Sequence, residues 1–423
     1  MSMIYLDNHA TTCVDPRVLE TMLPFFCESY GNAASRGHAF GWRAEEHVEI
    51  AREQVAALIG AEPREIIFTS GATESDNLAI LGVAKASSAQ GDHIVTVSTE
   101  HKAVLDTCAH LSDNGLRVTL VPVDSEGLVS TARIEEAITD RTVLVSVMTA
   151  NNEIGVIAPV RDIGAICRAR GVLFHTDAAQ AAGRIALDVN AMNVDLMSLS
   201  AHKMHGPKGV GALYVRRRRP RVTLAPLLHG GGHERGLRSG TLDVPGIVGF
   251  GAAAALAQTL LDSEPSRLRT LRDQLLERLV AGLDDVEVNG SMTHRLVNNL
   301  NISIAHVDGE ALITDLSRSV AVSSGSACTS ATLAPSHVLR ALGLPDERAH
   351  GSLRFGLSRF TTEAEIERAA TRVIESAMRL REMSPMPLPI KKAQGQPAAQ
   401  AQAEALHANP SQEVPPCPPT MQL

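Results

Sequence analysis

The sequence is poor in aromatic residues and has no strong net charge. Phe, Trp and Tyr make up 3% of the 423 residues, and the formal net charge is −8. This balance excludes a general cationic surface for nucleic acid. The first residues lack the charged and apolar regions of a signal peptide. The most apolar segment, 246–261, is Ala- and Gly-rich and short for a bilayer span, so we predict a packed helix there and no membrane partner.

The six cysteines show neither CxxC nor zinc-ligand spacing. We therefore expect no intrinsic metal site and a reducing, cytoplasmic location.

The one basic run, residues 216–221, is interpreted as a solvated strand end or loop rather than an anion site.

Apolar runs alternate with amphipathic helical patterns over the first 260 residues. The runs predict strands at 65–69, 93–98, 117–122, 142–148, 172–176, 194–199 and 211–215. Continuous Val/Ile/Leu runs between helices indicate an α/β fold with a mostly parallel seven-stranded sheet covered on both faces.

The pattern changes after about residue 260 and again after residue 383. We predict a large α/β domain at 15–260, and a smaller α+β domain formed by 1–14 and 261–383. Nine of the 21 prolines lie beyond Met383, where aromatic residues are absent. The Pro/Gln/Ala-rich segment 384–423 is therefore predicted to be a disordered tail.

Polar residues follow several of the predicted strands at their carboxyl ends, where open α/β sheets bind ligands. Residues 70–75 form a glycine turn at a helix start, which suits a phosphate, although Thr73 and Asp76 could equally form a plain cap. The other polar groups at these ends are His101, the amide-rich 151–153, Asp177 after an apolar strand, and His202-Lys203.

An anion cradle, an imidazole, an amide, a buried acid and a lysine together describe a site for pyridoxal phosphate. The lysine would be the Schiff-base nucleophile, and the acid would meet the protonated pyridine nitrogen. NAD fits less well, because the glycines after the first strand of the sheet do not have GxGxxG spacing.

Two further residues lie far along the chain. Cys328 belongs to a loop of small residues, Ser323 to Ser330, where a cysteine can be an exposed nucleophile. Arg354 alternates with apolar residues on a predicted strand, so it is either a snorkelling edge residue or a carboxylate clamp.

Nine motifs across residues 4–383 resemble those of NifS/IscS-type cysteine desulfurases, pyridoxal-phosphate enzymes of fold type I. They are YLDNHATT (5–12), GNAASRGHAFG (31–41), FTSGATESDNLAI (68–80), TEHKAVL (99–105), NNEIGV (151–156), HTDAAQ (175–180), SAHKMHGPKGVGALY (200–214), GGGHERGLRSGT (230–241) and SSGSACTS (323–330). The cysteine loop resembles that of the IscS/NifS branch more than that of the SufS branch. Cys13 stands where proline is common in the family.

The resemblance implies a role for each matching residue. Lys203 would hold the cofactor as a Schiff base, His101 would stack on its ring and move protons, and Cys328 would carry the sulfur as a persulfide. The remaining cofactor contacts would be Ala72, Thr73, Ser200 and His202 at the phosphate, Asp177 and Gln180 at the ring, and Thr241 from a partner subunit. Asn152 and Arg354 would bind the substrate carboxylate.

The implied reaction converts L-cysteine to L-alanine and passes the persulfide sulfur to an acceptor for iron–sulfur clusters or other thio-cofactors. The resemblance also implies a homodimer and an IscU/NifU-like scaffold partner, on which a nascent cluster could meet Cys328. The C-terminal tail differs from that of the family, so the acceptor stays open. Alternatives are a selenocysteine lyase, a class-V aminotransferase, or a catalytically silent scaffold-binding platform.

Overall fold

A computed structural model describes residues 3–219, 221–324 and 335–383. Cys328 and the predicted tail at 384–423 lie outside the described residues. The helices are α1 (Pro16–Met22), α2 (Pro24–Cys27), α3 (Ala39–Leu58), α4 (Ala72–Ala86), α5 (Lys102–Asp113), α6 (Thr131–Ala137), α7 (Val160–Arg170), α8 (Val244–Leu260), α9 (Glu264–Gly282), α10 (Gly309–Leu316), α11 (His337–Ala341), α12 (Asp346–His350) and α13 (Glu363–Met383). The strands are β1 (Ile4–Tyr5), β2 (Ile66–Thr69), β3 (His93–Val97), β4 (Arg117–Val121), β5 (Thr142–Ser146), β6 (Leu173–Asp177), β7 (Leu196–Ser200), β8 (Gly211–Val215), β9 (Val286–Val288), β10 (Asn299–Ile304), β11 (Val320–Ala321) and β12 (Ser352–Gly356).

The largest sheet has seven strands in the order β2-β8-β7-β6-β5-β3-β4. Strand β8 pairs antiparallel with both β2 and β7, and the other neighbours pair in parallel. The predicted mostly parallel seven-stranded sheet is confirmed, and each of its strands overlaps a predicted apolar run. Strands β2 to β7 all end at one edge, where β8 begins.

Alternate side chains of the sheet enter two separate apolar layers. On β3, Ile94 packs in a cluster with α4 and α5, whereas Val95 and Val97 belong to a cluster with α3 and α8. All three side chains are buried. This explains the continuous apolar runs, because a strand covered on both faces needs no polar face.

The elements that follow α8 form a second group, which β1 joins from the start of the chain. Strands β12, β10 and β9 form an antiparallel sheet, and β1 pairs in parallel with β11. Their apolar side chains form a cluster with those of α9, α10 and α13. The domain boundaries at residues 14/15 and 260/261 stay a prediction.

The basic run departs in part from its predicted solvated state. Arg216 is buried, donates to the carbonyl of Val194 at 2.8 Å and pairs with Asp195 at 3.0 Å. A run of arginines in the sequence does not show which of them has a buried acid opposite, so this anchor was missed.

Within the described residues no single helix is long and apolar enough to cross a bilayer. Helices α8 and α9 reach that length only together, across a bend of 79°. The predicted packed helix at 246–261 corresponds to α8, most of which is buried.

Candidate active site

A cavity of about 550 Å³ opens at the edge where the parallel strands end. Ten of the twelve predicted site residues line it: Ala72, Thr73, His101, Asn152, Asp177, Gln180, Ser200, His202, Lys203 and Arg354. The other two are Thr241, which is exposed before α8 and does not line the cavity, and Cys328, which lies outside the described residues. Residues from most of the chain's length thus converge on one cavity.

The N-terminus of α4 faces this cavity. Gly71 is the N-cap with a φ of 150°, and it has no side chain to accept from the first free N–H groups of the helix. A Cβ atom at Gly71 would meet nothing within 4 Å. The alternative of a cap built on Thr73 and Asp76 is wrong, since the helix begins at Ala72 and Asp76 is buried inside it. The free N–H groups and the helix dipole suit an anion.

Gly211, the first residue of β8, lets the glycine turn approach the sheet. A Cβ atom there would lie 2.6 Å from the Cα atom of Gly71 and 2.5 Å from the carbonyl oxygen of Leu199. Only glycine fits between these two backbones, so Gly211 fixes the position of the helix start.

Lys203 lies in a short 3-10 turn directly after β7. Its Nζ atom donates to the carbonyl oxygens of His9 at 2.5 Å and Ala10 at 2.8 Å. The N-terminal segment after β1 therefore forms one wall of the cavity around the amine.

His101, at the start of α5, and Asp177, at the end of β6, face the same cavity. His101 is the N-cap of α5, and its Nδ1 atom accepts from the backbone N–H of Ala103 at 3.1 Å. In the neutral ring the proton therefore lies on Nε2. Asp177 accepts from the N–H of Ala179 at 2.8 Å. Burial raises the pKa of Asp177, and the positive charges of His101 and Lys203 partly oppose that rise.

Two more buried acids, Asp76 and Glu100, lie behind Asp177. Burial raises the pKa of each well above its usual range, and the charge of Asp177 raises both further. A cation beside Asp177 would lower the electrostatic cost of this acidic region.

His202 and Gln180 are both held by the N-terminal segment. His202 shares a hydrogen bond of 3.1 Å with the hydroxyl group of Thr11, and burial lowers its pKa to about 4. Gln180 donates to the carbonyl of His9 at 3.0 Å and lies 2.9 Å from the ring nitrogen Nδ1 of the same residue.

Arg354 is a buried cation with several partners. Its guanidinium group donates to the carboxylate of Asp7 at 2.8 Å, the hydroxyl of Ser323 at 3.1 Å and the carbonyl of Asn152 at 3.0 Å. The snorkelling alternative is wrong, because the residue is only 3% exposed although β12 lies at a sheet edge.

Asn151 sets the position of its neighbour Asn152. Its side chain donates to the carbonyl of Thr99 at 2.9 Å and accepts from the N–H groups of Glu153 and Ile154. This local ring of hydrogen bonds holds Asn152 at the cavity wall.

Sequence reasoning missed His9 and Lys208, which also line the cavity, and Asp7, which pairs with Arg354. His9 and Asp7 belong to the YLDNHATT motif, and Lys208 to the segment after Lys203. The motif gave the signal, but nothing in the local sequence shows that residues 5–12 pack against residues nearly 200 positions away.

Comparison with known proteins places this site in a class. The aminotransferase class-V family matches residues 4–369, so the chain belongs to that class. A protein named cysteine desulfurase IscS from Anaeromyxobacter sp. (strain Fw109-5) is 59% identical over 383 residues, which are 90% of this chain and 94% of the relative.

Solved structures agree with this relationship. A NifS-like protein superposes with a TM-score of 0.84 at 40% identity and covers 90% of this chain and 100% of its own. A structure described as SspA in complex with cysteine gives a TM-score of 0.76 at 38% identity, over 85% of this chain and 100% of its own. Within the class, the chain belongs to the cysteine desulfurases, whose cofactor is pyridoxal phosphate.

The cavity suits that cofactor on two observations. The uncapped start of α4 offers N–H groups to a phosphate. Asp177 supplies a buried carboxylate that can pair with a protonated ring nitrogen. Burial alone disfavours the negative charge of Asp177, so this carboxylate needs a positively charged partner. Lys203 lines the same cavity as these two groups.

Proposed function

We propose that this cysteine desulfurase takes the sulfur atom from L-cysteine, releases L-alanine and carries the sulfur as a persulfide on Cys328. The observation that carries the proposal is the convergence of Lys203, His101, Asp177 and Arg354 on one cavity. Bound pyridoxal phosphate supplies an electron sink for the bond changes at the substrate.

The phosphate group is proposed to bind at the start of α4. The N–H groups of Ala72 and Thr73 and the side chains of Ser200 and His202 would donate to it. Burial lowers the pKa of His202 to about 4, so its ring is neutral at neutral pH before the phosphate binds.

Asp177 is proposed to pair with the protonated ring nitrogen, and Gln180 to contact the ring oxygen. Gln180 is held from behind by His9, which burial keeps neutral by lowering its pKa to about 3. A neutral, fixed histidine there orients the amide without adding a second positive charge to the ring site.

Lys203 is proposed to hold the cofactor covalently through Nζ and, once displaced by the substrate amine, to accept the α-proton. The carbonyl groups of His9 and Ala10 can hold the freed ammonium group. His101 is proposed to stack on the ring and to move protons at Nε2, because its Nδ1 atom is engaged by the backbone.

Arg354 and Asn152 are proposed to bind the substrate carboxylate. The thiolate of Cys328 then attacks the substrate sulfur. A sulfur–sulfur bond forms, the carbon–sulfur bond breaks, and the electron pair of the broken bond stays with the β-carbon. Protonation of the β-carbon and return of the α-proton from Lys203 to the α-carbon give alanine. The acceptor that takes the outer sulfur is proposed to be an iron–sulfur scaffold protein or another sulfur carrier.

We also propose a cytoplasmic homodimer in which Thr241 of each subunit serves the other subunit's site. Large apolar side chains exposed between residues 19 and 42, among them Phe26, Tyr30 and Trp42, support a subunit interface. The four cysteines within the described residues are free, which supports a reducing compartment. Light scattering that gives the mass of one subunit for the active enzyme would contradict the dimer.

The test uses the purified enzyme with bound cofactor, L-cysteine and a thiol reductant. Equal amounts of alanine and sulfide are expected. Amino-group transfer to a keto acid without sulfide would indicate an aminotransferase. Release of selenide from selenocysteine without reaction on cysteine would indicate a selenocysteine lyase. Cofactor absorbance with no product would indicate a silent binding platform.

A further inference from the structure

The pairing of Arg354 in the substrate-free chain limits how it can bind a carboxylate. A guanidinium group has five N–H donors in a fixed planar fork. Nη2 donates to Asp7 and to Ser323, whose oxygens lie 2.6 Å apart, and Nη1 donates to the carbonyl of Asn152. The Nε–H group is buried and has no partner among the described residues.

Both edges of the guanidinium group that can form a two-point clamp include Nη2. Nε shares an edge of the guanidinium plane with Nη2 and not with Nη1, so a carboxylate cannot bridge the Nε–H group and an Nη1 donor. A substrate carboxylate that binds Arg354 through two parallel hydrogen bonds must therefore use Nη2, the nitrogen that already bonds Asp7.

We infer that Asp7 is a built-in competitor that occupies Arg354 until the substrate carboxylate displaces it, and so sets the affinity of the site for amino acids. This inference rests on the proposed role of Arg354 in the desulfurase reaction. A buried cation needs a negative partner at all times. Asp7 fills that need in the free enzyme, and the substrate fills it in the complex.

The surroundings of Asp7 suit such an exchange. Its side chain is 19% exposed, whereas that of Arg354 is 4% exposed, so the aspartate can regain water and the arginine cannot. The Oδ1 atom of Asp7 also accepts from Ser323 at 2.6 Å, and this partner stays when Arg354 is lost. The exchange therefore leaves neither carboxylate without a donor.

The carboxylates of Asp7 and of the substrate repel each other when both lie at Arg354. Asp7 does not line the cavity, but it pairs with Arg354, which does. Glu153, the other acid near Arg354, has its pKa raised to about 7 by burial, so it is largely neutral below that pH. With both Asp7 and the substrate at one cation, like-charge repulsion weakens substrate binding.

The test compares the holoenzyme with Asp7→Asn, which keeps the size and an oxygen acceptor but removes the charge. KM for L-cysteine is expected to fall about three- to tenfold, and the dissociation constant of L-alanine, read from the cofactor absorbance, by a similar factor. Cysteamine, which lacks the carboxylate, is expected to bind both enzymes equally. The backbone bridge between Asp7 and Gly356 is unaffected by the substitution.

Asp15→Asn is the matched control, because Asp15 pairs with Arg17 and Arg359 in the same N-terminal segment and has no contact with Arg354. A higher KM in Asp7→Asn, or an equal change for cysteamine and L-alanine, would overturn the inference. Asp7→Ser is a second variant with the same expected direction should the amide fail to fold.

The two proposals fail in different ways. Absence of alanine and sulfide from the wild-type enzyme would count against the proposed reaction. The comparison of L-alanine with cysteamine needs no turnover, so an unchanged or weaker affinity of Asp7→Asn for L-alanine would count against the role of Asp7 alone.

Discussion

The carboxylate of Glu153 accepts a hydrogen bond of 2.5 Å from the hydroxyl group of Ser336, which lies 183 positions further along the chain. Ser336 in turn caps α11. The side chain of Glu153 is buried, and its backbone carbonyl accepts from Asn299 and Asn301 of β10. One residue beside the cavity therefore joins the large sheet region to the second core.

This burial makes stability depend on pH. Burial raises the pKa of Glu153 from 4.5 to about 7, so between these values the unfolded chain releases a proton that the folded chain keeps. Relative to Glu153→Gln, the free energy of unfolding is expected to fall by about 2–3 kcal/mol as pH rises through this window, and to be level above it. Urea unfolding at a series of pH values measures the difference.

Ser336→Ala provides the control for that measurement. The hydroxyl group lowers the pKa of Glu153 in the folded chain, so its removal is expected to extend the upper end of the window to higher pH, while the lower end, set by the unfolded chain, stays in place. A difference between wild type and Glu153→Gln that stays constant from pH 4 to 8 would contradict the buried, neutral state of this acid.

Lys203→Ala is expected to abolish covalent attachment of the cofactor. The phosphate and ring contacts remain, so the cofactor should still bind but be lost on dialysis, and kcat should fall by about 10³-fold or more. Lys208→Ala is the matched control, since Lys208 lines the same cavity. Borohydride reduction followed by mass spectrometry should attach the cofactor to this control and to wild type, but not to Lys203→Ala.

Cys328→Ala is expected to keep the cofactor absorbance and yet release no alanine from L-cysteine. Lys203 and Asp177, which are proposed to hold the cofactor, are untouched, whereas the proposed sulfur acceptor is gone. Cys13→Ala tests whether this exposed thiol serves instead, and it should retain persulfide formation. Normal turnover by Cys328→Ala would remove this cysteine from the mechanism.

Gly211→Ala is expected to weaken cofactor binding as well as stability. The added methyl group would collide with the backbones of Gly71 and Leu199, forcing the start of α4 away from the sheet. We expect a loss of about 1–3 kcal/mol in unfolding free energy and a raised dissociation constant for the cofactor. Gly37→Ala is the control, because a Cβ atom there meets nothing within 4 Å. Equal cofactor affinity in both variants would refute the coupling.

The large sheet could be predicted well because its strands have a pattern that is visible in the local sequence. A strand such as β3 is covered on both faces, so its residues are apolar at consecutive positions. The polar residues that follow such strands converge for the same reason, since parallel strands end at one edge. That is why the sequence alone could predict that His101, Asp177 and Lys203 lie close together.

The parts that could not be predicted depend on partners distant in the chain. The two-residue strands β1 and β11 are too short to show a pattern. In the sequence, Arg216 and Arg354 look like exposed arginines, and only their acidic partners in the fold, Asp195 and Asp7, distinguish them. Helix α4 begins at Ala72 and has no cap built on Thr73. Its N-cap, Gly71, lies against Gly211, and no local sequence pattern predicts this contact.

The pairing of β1 with β11 has a consequence for the order of events during synthesis. Ile4 lies beside Val320, and Asp7 bridges to Gly356. Residues 4–7 must therefore wait for the synthesis of residues 320–356 before they find their places. The seven-stranded sheet ends at Val215 and can form earlier. Asp7, His9 and Ala10 precede the sheet in the chain and yet are fixed after it, and the nascent enzyme cannot complete its cavity before Arg354 has been made.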